Sequence, residues 1–274
     1  MSRIAAAFAR LREEGRAGLI PFVEAFDPDR ETSRALLAGM AARGADIIEI
    51  GIPFTDPMAD GPTIQAAGRR ALAAGATVAG ALELVREFRA GNDSIPLVLM
   101  GYLNPILAYG VERFTADAAD AGVDGLIVVD LPTEEADLML PAMRRNGLDL
   151  IRLIAPTTSD ERLPKVLDGS SGFVYYVSIT GVTGTRTASA EDLARDIPRI
   201  RRATNLPIAV GFGVRTPEQA AIVARYADAA VVASALIDRL ASGLDEEGQA
   251  SFGAIDAVLG DVAALAAGMR AGSA

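Results

Sequence analysis

The sequence contains no cysteine and no histidine, and its only lysine is Lys165. Without cysteine there are no disulfides and no thiolate metal sites. Without histidine, the common zinc sites, a Ser-His-Asp triad and the usual proton shuttle near neutral pH are excluded. Lys165 lies in the polar stretch from Asp160 to Asp168, which reads as a short surface helix, so a buried Schiff-base lysine is not expected. Acid/base chemistry therefore falls to Asp, Glu or Tyr. A net charge of −10 argues against a nucleic-acid groove or an anionic membrane surface, while leaving room for a local anion site. Long apolar runs are missing too. The N-terminal one is too short and too soon interrupted by charge for a signal peptide, and no later stretch approaches a membrane span, so a cytoplasmic protein is expected.

What is present is an alternation. The 274 residues are 50% hydrophobic, enough for one large core. Strand patterns fall at Leu19–Ala25, Asp46–Ile50, Pro96–Met100, Gly125–Val129, Leu150–Ile154, Phe173–Val177, Pro207–Val210 and Ala229–Val232. Helical patterns lie between them, among them Arg30–Ala42, Val78–Phe88, Glu134–Arg145 and Glu191–Arg202. Eight such units predict parallel strands with crossover helices closed into a (β/α)8 TIM barrel. Ile4, Phe8 and Leu11 mark an additional N-terminal packing helix over residues 1–15. Phe252, Ile255, Leu259 and Val262 mark another at the C-terminus, before a tail over 268–274 expected to fray. No polar linker divides the chain, so residues 1–274 read as a single domain.

The richest chemistry lies in EIGIPFTDPMADGPTIQ, from Glu49 to Gln65. Glu49 ends the second strand, where barrels of this type carry their chemistry. Asp60 ends the following loop, just before Pro62, which is suited to opening a helix. Two carboxylates leaving one strand end by different routes can flank a small ligand as acid and base. The same residues also suit plainer roles, a turn or helix cap for Asp60 and an arginine pair for Glu49. Glycines gather after the late strands, Gly181 and Gly184 after the sixth and Gly211 and Gly213 after the seventh, and Ser234 starts a helix after the eighth. Together they predict a phosphate site built from backbone N–H groups.

Together with GYLNPI at 101–106, GLIVVDLP at 125–132, YYVSITGVTG at 175–184 and VGFGVRTPEQ at 210–219, the motif closely resembles the tryptophan synthase alpha chain family over nearly the whole chain. That resemblance implies a carbon–carbon lyase that cleaves indole-3-glycerol phosphate to indole and glyceraldehyde 3-phosphate, with Glu49 as general acid/base and Asp60 accepting the indole N–H. It implies an indole pocket near Phe22, Met100, Val129 and Tyr175, and phosphate contacts at Gly184, Gly213 and Ser234. It further implies a loop residue, Thr183, that closes over the site toward Asp60. No cofactor is implied for this chain. The implied partner is a beta chain carrying pyridoxal phosphate, in an alpha2-beta2 heterotetramer, met by a face that includes Asp56, Pro57, Asn104 and Pro132.

The chain departs from the family's pattern in three places. After strand one the family has Thr-x-Gly-Asp-Pro where this chain has Glu24-Ala25-Phe26-Asp27-Pro28, and Ala233 replaces a glycine before Ser234. Strand parity turns Glu24 the same way as Phe22, so it is expected near Glu49, with Phe26 filling the barrel mouth. These departures support an alternative, a catalytically weak or altered-specificity barrel acting mainly as activator of a beta chain.

Overall fold

The apolar runs pair side by side through backbone hydrogen bonds, and the amphipathic stretches cover them. A computed structural model describes residues 2–177, 189–211 and 213–273. In chain order, α1 (Arg3–Glu13) leads into β1 (Gly18–Glu24), α2 (Arg30–Ala42), β2 (Ile48–Gly51), α3 (Pro62–Ala73) and α4 (Val78–Gly91). Then follow β3 (Leu97–Gly101), α5 (Leu103–Tyr109), α6 (Val111–Ala121), β4 (Gly125–Val128) and, after a 3-10 turn at Thr133–Leu138, α7 (Leu140–Arg145). Two short strands, β5 (Asp149–Leu150) and β6 (Arg152–Ile154), precede α8 (Leu163–Leu167) and β7 (Val174–Val177). The chain ends with α9 (Ala190–Arg201), β8 (Ile208–Gly211), α10 (Pro217–Ala224), β9 (Ala229–Val232), α11 (Ser234–Ala241) and α12 (Phe252–Ser273).

All strand pairs are parallel, in the order β5-β4-β3-β2-β1-β9-β8-β7-β6. The two ends of this sheet are consecutive in sequence, separated only by Ile151. The fifth expected strand is thus one stretch that pairs first with β4 and then with β7, and it completes a nearly closed TIM barrel. The helix expected over Glu134–Arg145 is likewise divided, because Pro141 in the first turn of α7 supplies no N–H to a helix continuing from upstream.

Alternation along each strand sends one set of side chains inward, including Ile20, Ile47, Val98, Ile127, Ile151, Phe173, Ala209 and Val231. Ile4, Ala7, Phe8 and Leu11 of α1 join this cluster, with the Phe8 ring 5.8 Å from that of Phe173. Leu11 reaches the start of β1 at Gly18, so α1 stops the N-terminal end of the barrel. The outward set packs against the surrounding helices.

At the C-terminus the helix continues to Ser273 with Gly268 and Met269 buried, so the expected frayed tail is replaced by packed helix. A β-carbon at Gly268 would lie 2.3 Å from the Pro217 carbonyl oxygen, which shows how closely α12 approaches α10. The buried face runs through Ala254, Val258, Val262, Leu265 and Ala266, whereas Phe252, expected on that face, is 85% exposed. By length and composition α12 could cross a membrane, contrary to the expectation that no stretch would, but it packs on α2, α10 and α11.

The residues after β1 also differ from expectation. Phe26 has φ of 70°, a left-handed backbone that swings its ring away from the barrel mouth. The ring is buried against Gly80 of α4 and under the Arg30 guanidinium, 5.8 Å from the ring centroid.

Candidate functional site

Seven acidic side chains are buried among the described residues, and their partners divide them into two kinds. Asp27 is held by Arg70, Asp46 by Arg16, Asp124 by Arg89 and Asp196 by Arg195. Asp46 and Asp124 also accept the backbone N–H groups of Leu19 and Leu97 at the starts of strands, which makes them structural ties. Glu24, Glu49 and Asp60 have no such cation among the described residues. An unpaired buried carboxyl costs several kcal/mol of desolvation, so three at one end of the barrel mark a place kept for something other than stability.

Glu49 sits in β2 opposite Phe22 of β1 and Val98 of β3, on the inward side. It is 1% exposed, and its Oε2 has no hydrogen-bond partner. Burial, followed by the charge of Asp60, pushes its pKa up to about 8, so it holds a proton at pH 7. Asp60 is placed by the turn that brings its N–H to the Pro57 carbonyl and by the Gln65 amide on its own carbonyl. Pro62 then opens α3, as expected. Burial raises the Asp60 pKa to about 6, against the opposing effect of a hydrogen bond with the Tyr102 hydroxyl. At pH 7 the pair therefore consists of a protonated acid and an ionised partner, the division of labour that acid/base chemistry needs.

The surrounding wall is apolar. Phe22 packs with Ile64, Ala67, Ile237, Met100 and Ala233. Met100, Val129 and Leu153 are partly buried against the barrel interior, with Tyr175 buried among them. The Tyr175 ring lies over Gly211, where a β-carbon would be 2.2 Å from its hydroxyl, and burial, followed by the Glu49 charge, raises its pKa. Of the four expected pocket residues, Phe22 pairs with Glu49 across β1 and β2 and Tyr175 feels its charge, while Met100 and Val129 line the same interior. Sequence reasoning missed Tyr102, although it stands in the GYLNPI motif. Its hydroxyl accepts the Ala59 N–H at 3.0 Å while meeting Asp60, and so fixes the end of the acid-bearing loop.

Gly213, with φ of 83°, and Ser234, at the start of α11, lie after consecutive strands. The cap position of α11, Ala233, supplies no side-chain hydrogen bond, so none from there occupies the first N–H groups of this helix. Thr183 and Gly184 lie outside the described residues. Asp56, Asn104 and Pro132 are exposed and Pro57 is half-buried, on the successive segments after β2, β3 and β4, with Asn104 in the first turn of α5. The exposed apolar side chains Met58, Leu107 and Leu138 lie on the same stretches.

The sequence model of the family described as "Tryptophan synthase alpha chain" matches residues 8–260. The tryptophan synthase alpha chain of Acidiphilium cryptum is 80% identical over 270 residues, covering 98% of each chain. That of Granulibacter bethesdensis is 65% identical over 270 residues, 98% of this chain and 97% of its own. Among solved structures, tryptophan synthase subunit alpha from Legionella pneumophila str. Paris has a TM-score of 0.90 at 37% identity, covering 98% of this chain and 99% of its own. Mycobacterium tuberculosis tryptophan synthase has a TM-score of 0.87 at 38% identity, covering 98% of each chain.

Proposed function

This chain belongs to the tryptophan synthase alpha chain family, and from that membership we propose that it cleaves indole-3-glycerol phosphate to indole and glyceraldehyde 3-phosphate. The observation that carries this reading is the pairing of a buried, protonated Glu49 with an ionised Asp60 in an apolar pocket. Glu49 gives its proton to the indole carbon that bears the side chain. Asp60 accepts the indole N–H and steadies the positive charge this creates. The carbon–carbon bond then breaks, its electrons return to the ring, and Glu49 takes the proton of the adjacent hydroxyl as that carbon becomes an aldehyde. One proton leaves Glu49 and one returns, so the residue is restored.

Phe22, Met100, Val129 and Tyr175 hold the indole, and Gly184, Gly213 and Ser234 bind the phosphate, with Thr183 closing over the substrate. The chain acts as a single-domain cytoplasmic subunit with no cofactor of its own. Its partner is a beta chain bearing pyridoxal phosphate, in an alpha2-beta2 assembly. Asp56, Pro57, Asn104 and Pro132 supply the docking face, and the neighbouring Met58, Leu107 and Leu138 give it apolar area. The reading of a weak activator is not favoured by 80% identity to an alpha chain, and Phe26 does not crowd the mouth.

The test is release of indole and glyceraldehyde 3-phosphate in equal amounts by the purified chain, with and without beta chain. Cleavage alone is expected, and it should accelerate when beta chain binds the closed form preferentially. Asp56→Lys should weaken that activation by about tenfold in half-saturating beta chain, the scale of one misplaced interface charge, while basal turnover stays unchanged. Absence of indole in both conditions would remove the reading.

A further inference from the structure

Among the described residues, Glu24 is the one buried acid without a cation that the mechanism above does not use. It ends β1 two residues beyond Phe22, on the same inward side, and register sets it opposite Gly51 of β2. Its carboxyl fills the space over that glycine. A β-carbon at Gly51 would lie 2.3 Å from the Glu24 Oε2 and 2.9 Å from its Cδ. The other oxygen, Oε1, is 3.9 Å from where a β-carbon would stand at Gly68 of α3. Glu24 is therefore lodged between the strand that carries Glu49 and the helix that starts two residues after Asp60.

The charges facing this carboxyl come from two sides. Asp60 precedes α3, and Asp27 follows β1. The cation of α3, Arg70, is committed to Asp27 through bonds of 2.7 and 2.9 Å. Burial first, then the charges of Asp60 and Asp27, raise the Glu24 pKa well above its usual range. Among the described residues no three acidic side chains are grouped so as to hold a metal ion.

We infer that Glu24 is a positioning residue, a wedge that fixes the spacing of β2 and α3, and so of Glu49 and Asp60. Its raised pKa favours the neutral carboxyl, which leaves the charge of the three to Asp60. The inference rests on the proposed lyase reaction for its kinetic test and is independent of it for its titration test. Glutamine preserves the size and neutrality of the wedge, whereas alanine leaves a gap. Glu24→Gln should keep kcat within about threefold of wild type at pH 7. Glu24→Ala should lower kcat by about tenfold or more with KM nearly unchanged, the scale expected when reacting groups lose their alignment.

Carbon-13 titration of labelled glutamate carboxyls supplies the second arm and needs no turnover. The resonance that disappears in Glu24→Gln should remain at its protonated shift through pH 7 in the wild-type chain. An ionised Glu24 at pH 7, a Glu24→Ala variant with wild-type kcat, or a Glu24→Gln variant as slow as Glu24→Ala would each overturn the inference. If Glu24→Ala fails to fold, the glutamine variant and the titration still decide it. A wild-type chain that makes no indole would instead sink the lyase reading and leave the titration to judge Glu24.

Discussion

Glu49→Gln should lower indole formation by about a thousandfold, within the range typical for losing general acid/base help. The amide matches the carboxyl in shape but neither gives nor takes the proton that each turnover moves twice. No histidine exists to replace it, and the nearby Tyr175 hydroxyl has a pKa raised well above its usual range by burial. The fold should not suffer. A carboxyl whose pKa rises on folding contributes most below its unfolded pKa and loses that contribution as pH climbs through the folded value. For Glu49 the window runs from the ordinary 4.5 to about 8. Across it the urea midpoint of the wild type should fall relative to that of Glu49→Gln, whose side chain stays neutral. A variant that is both inactive and more stable at pH 8 is the signature of an acid kept for chemistry. Retained turnover would remove Glu49 from the mechanism.

Asp60→Asn should cost about a hundredfold in kcat/KM. Asparagine still offers an oxygen to the indole N–H, so orientation survives in part. What disappears is the negative charge that offsets the positive charge developing on the ring. A second effect follows from the Asp60 contribution to the Glu49 pKa. With that charge gone, Glu49 ionises at lower pH, and the alkaline limb of the rate profile should move down. An unchanged limb would mean that the two carboxyls do not sense each other.

Much of this architecture is legible from the amino-acid order, for identifiable reasons. The α2 boundaries follow from Asp29 capping Thr32 and from apolar residues at helical spacing, and the expected Arg30–Ala42 agrees with the structure. The pocket positions of Phe22 and Tyr175 are legible through the resemblance, and parity sets Glu24 on the face of Phe22 because alternation is local. Register is not local. Parity alone put Glu24 near Glu49, but pairing sets Phe22 opposite Glu49 and Glu24 opposite Gly51, so its neighbours in charge are Asp60 and Asp27. The direction of Phe26 was likewise hidden, since a positive φ at a phenylalanine is imposed by surrounding contacts such as the Ser33 hydroxyl on its N–H. The split at Ile151 answers to strands on either side that belong to distant parts of the chain. Which buried acids are paired with arginine, the observation that isolates the site, emerges only when the chain is folded.

The most direct test of the account is the pH dependence of kcat/KM for indole formation by the wild-type chain. Cleavage needs Asp60 ionised and Glu49 protonated, so activity should be lost as pH falls through about 6 and again as it rises through about 8. A bell with those limbs, whose acid limb vanishes in Asp60→Asn, is the predicted result. A profile that stays flat from pH 5 to pH 9, or that keeps its acid limb in Asp60→Asn, would contradict the assignment of the two carboxyls.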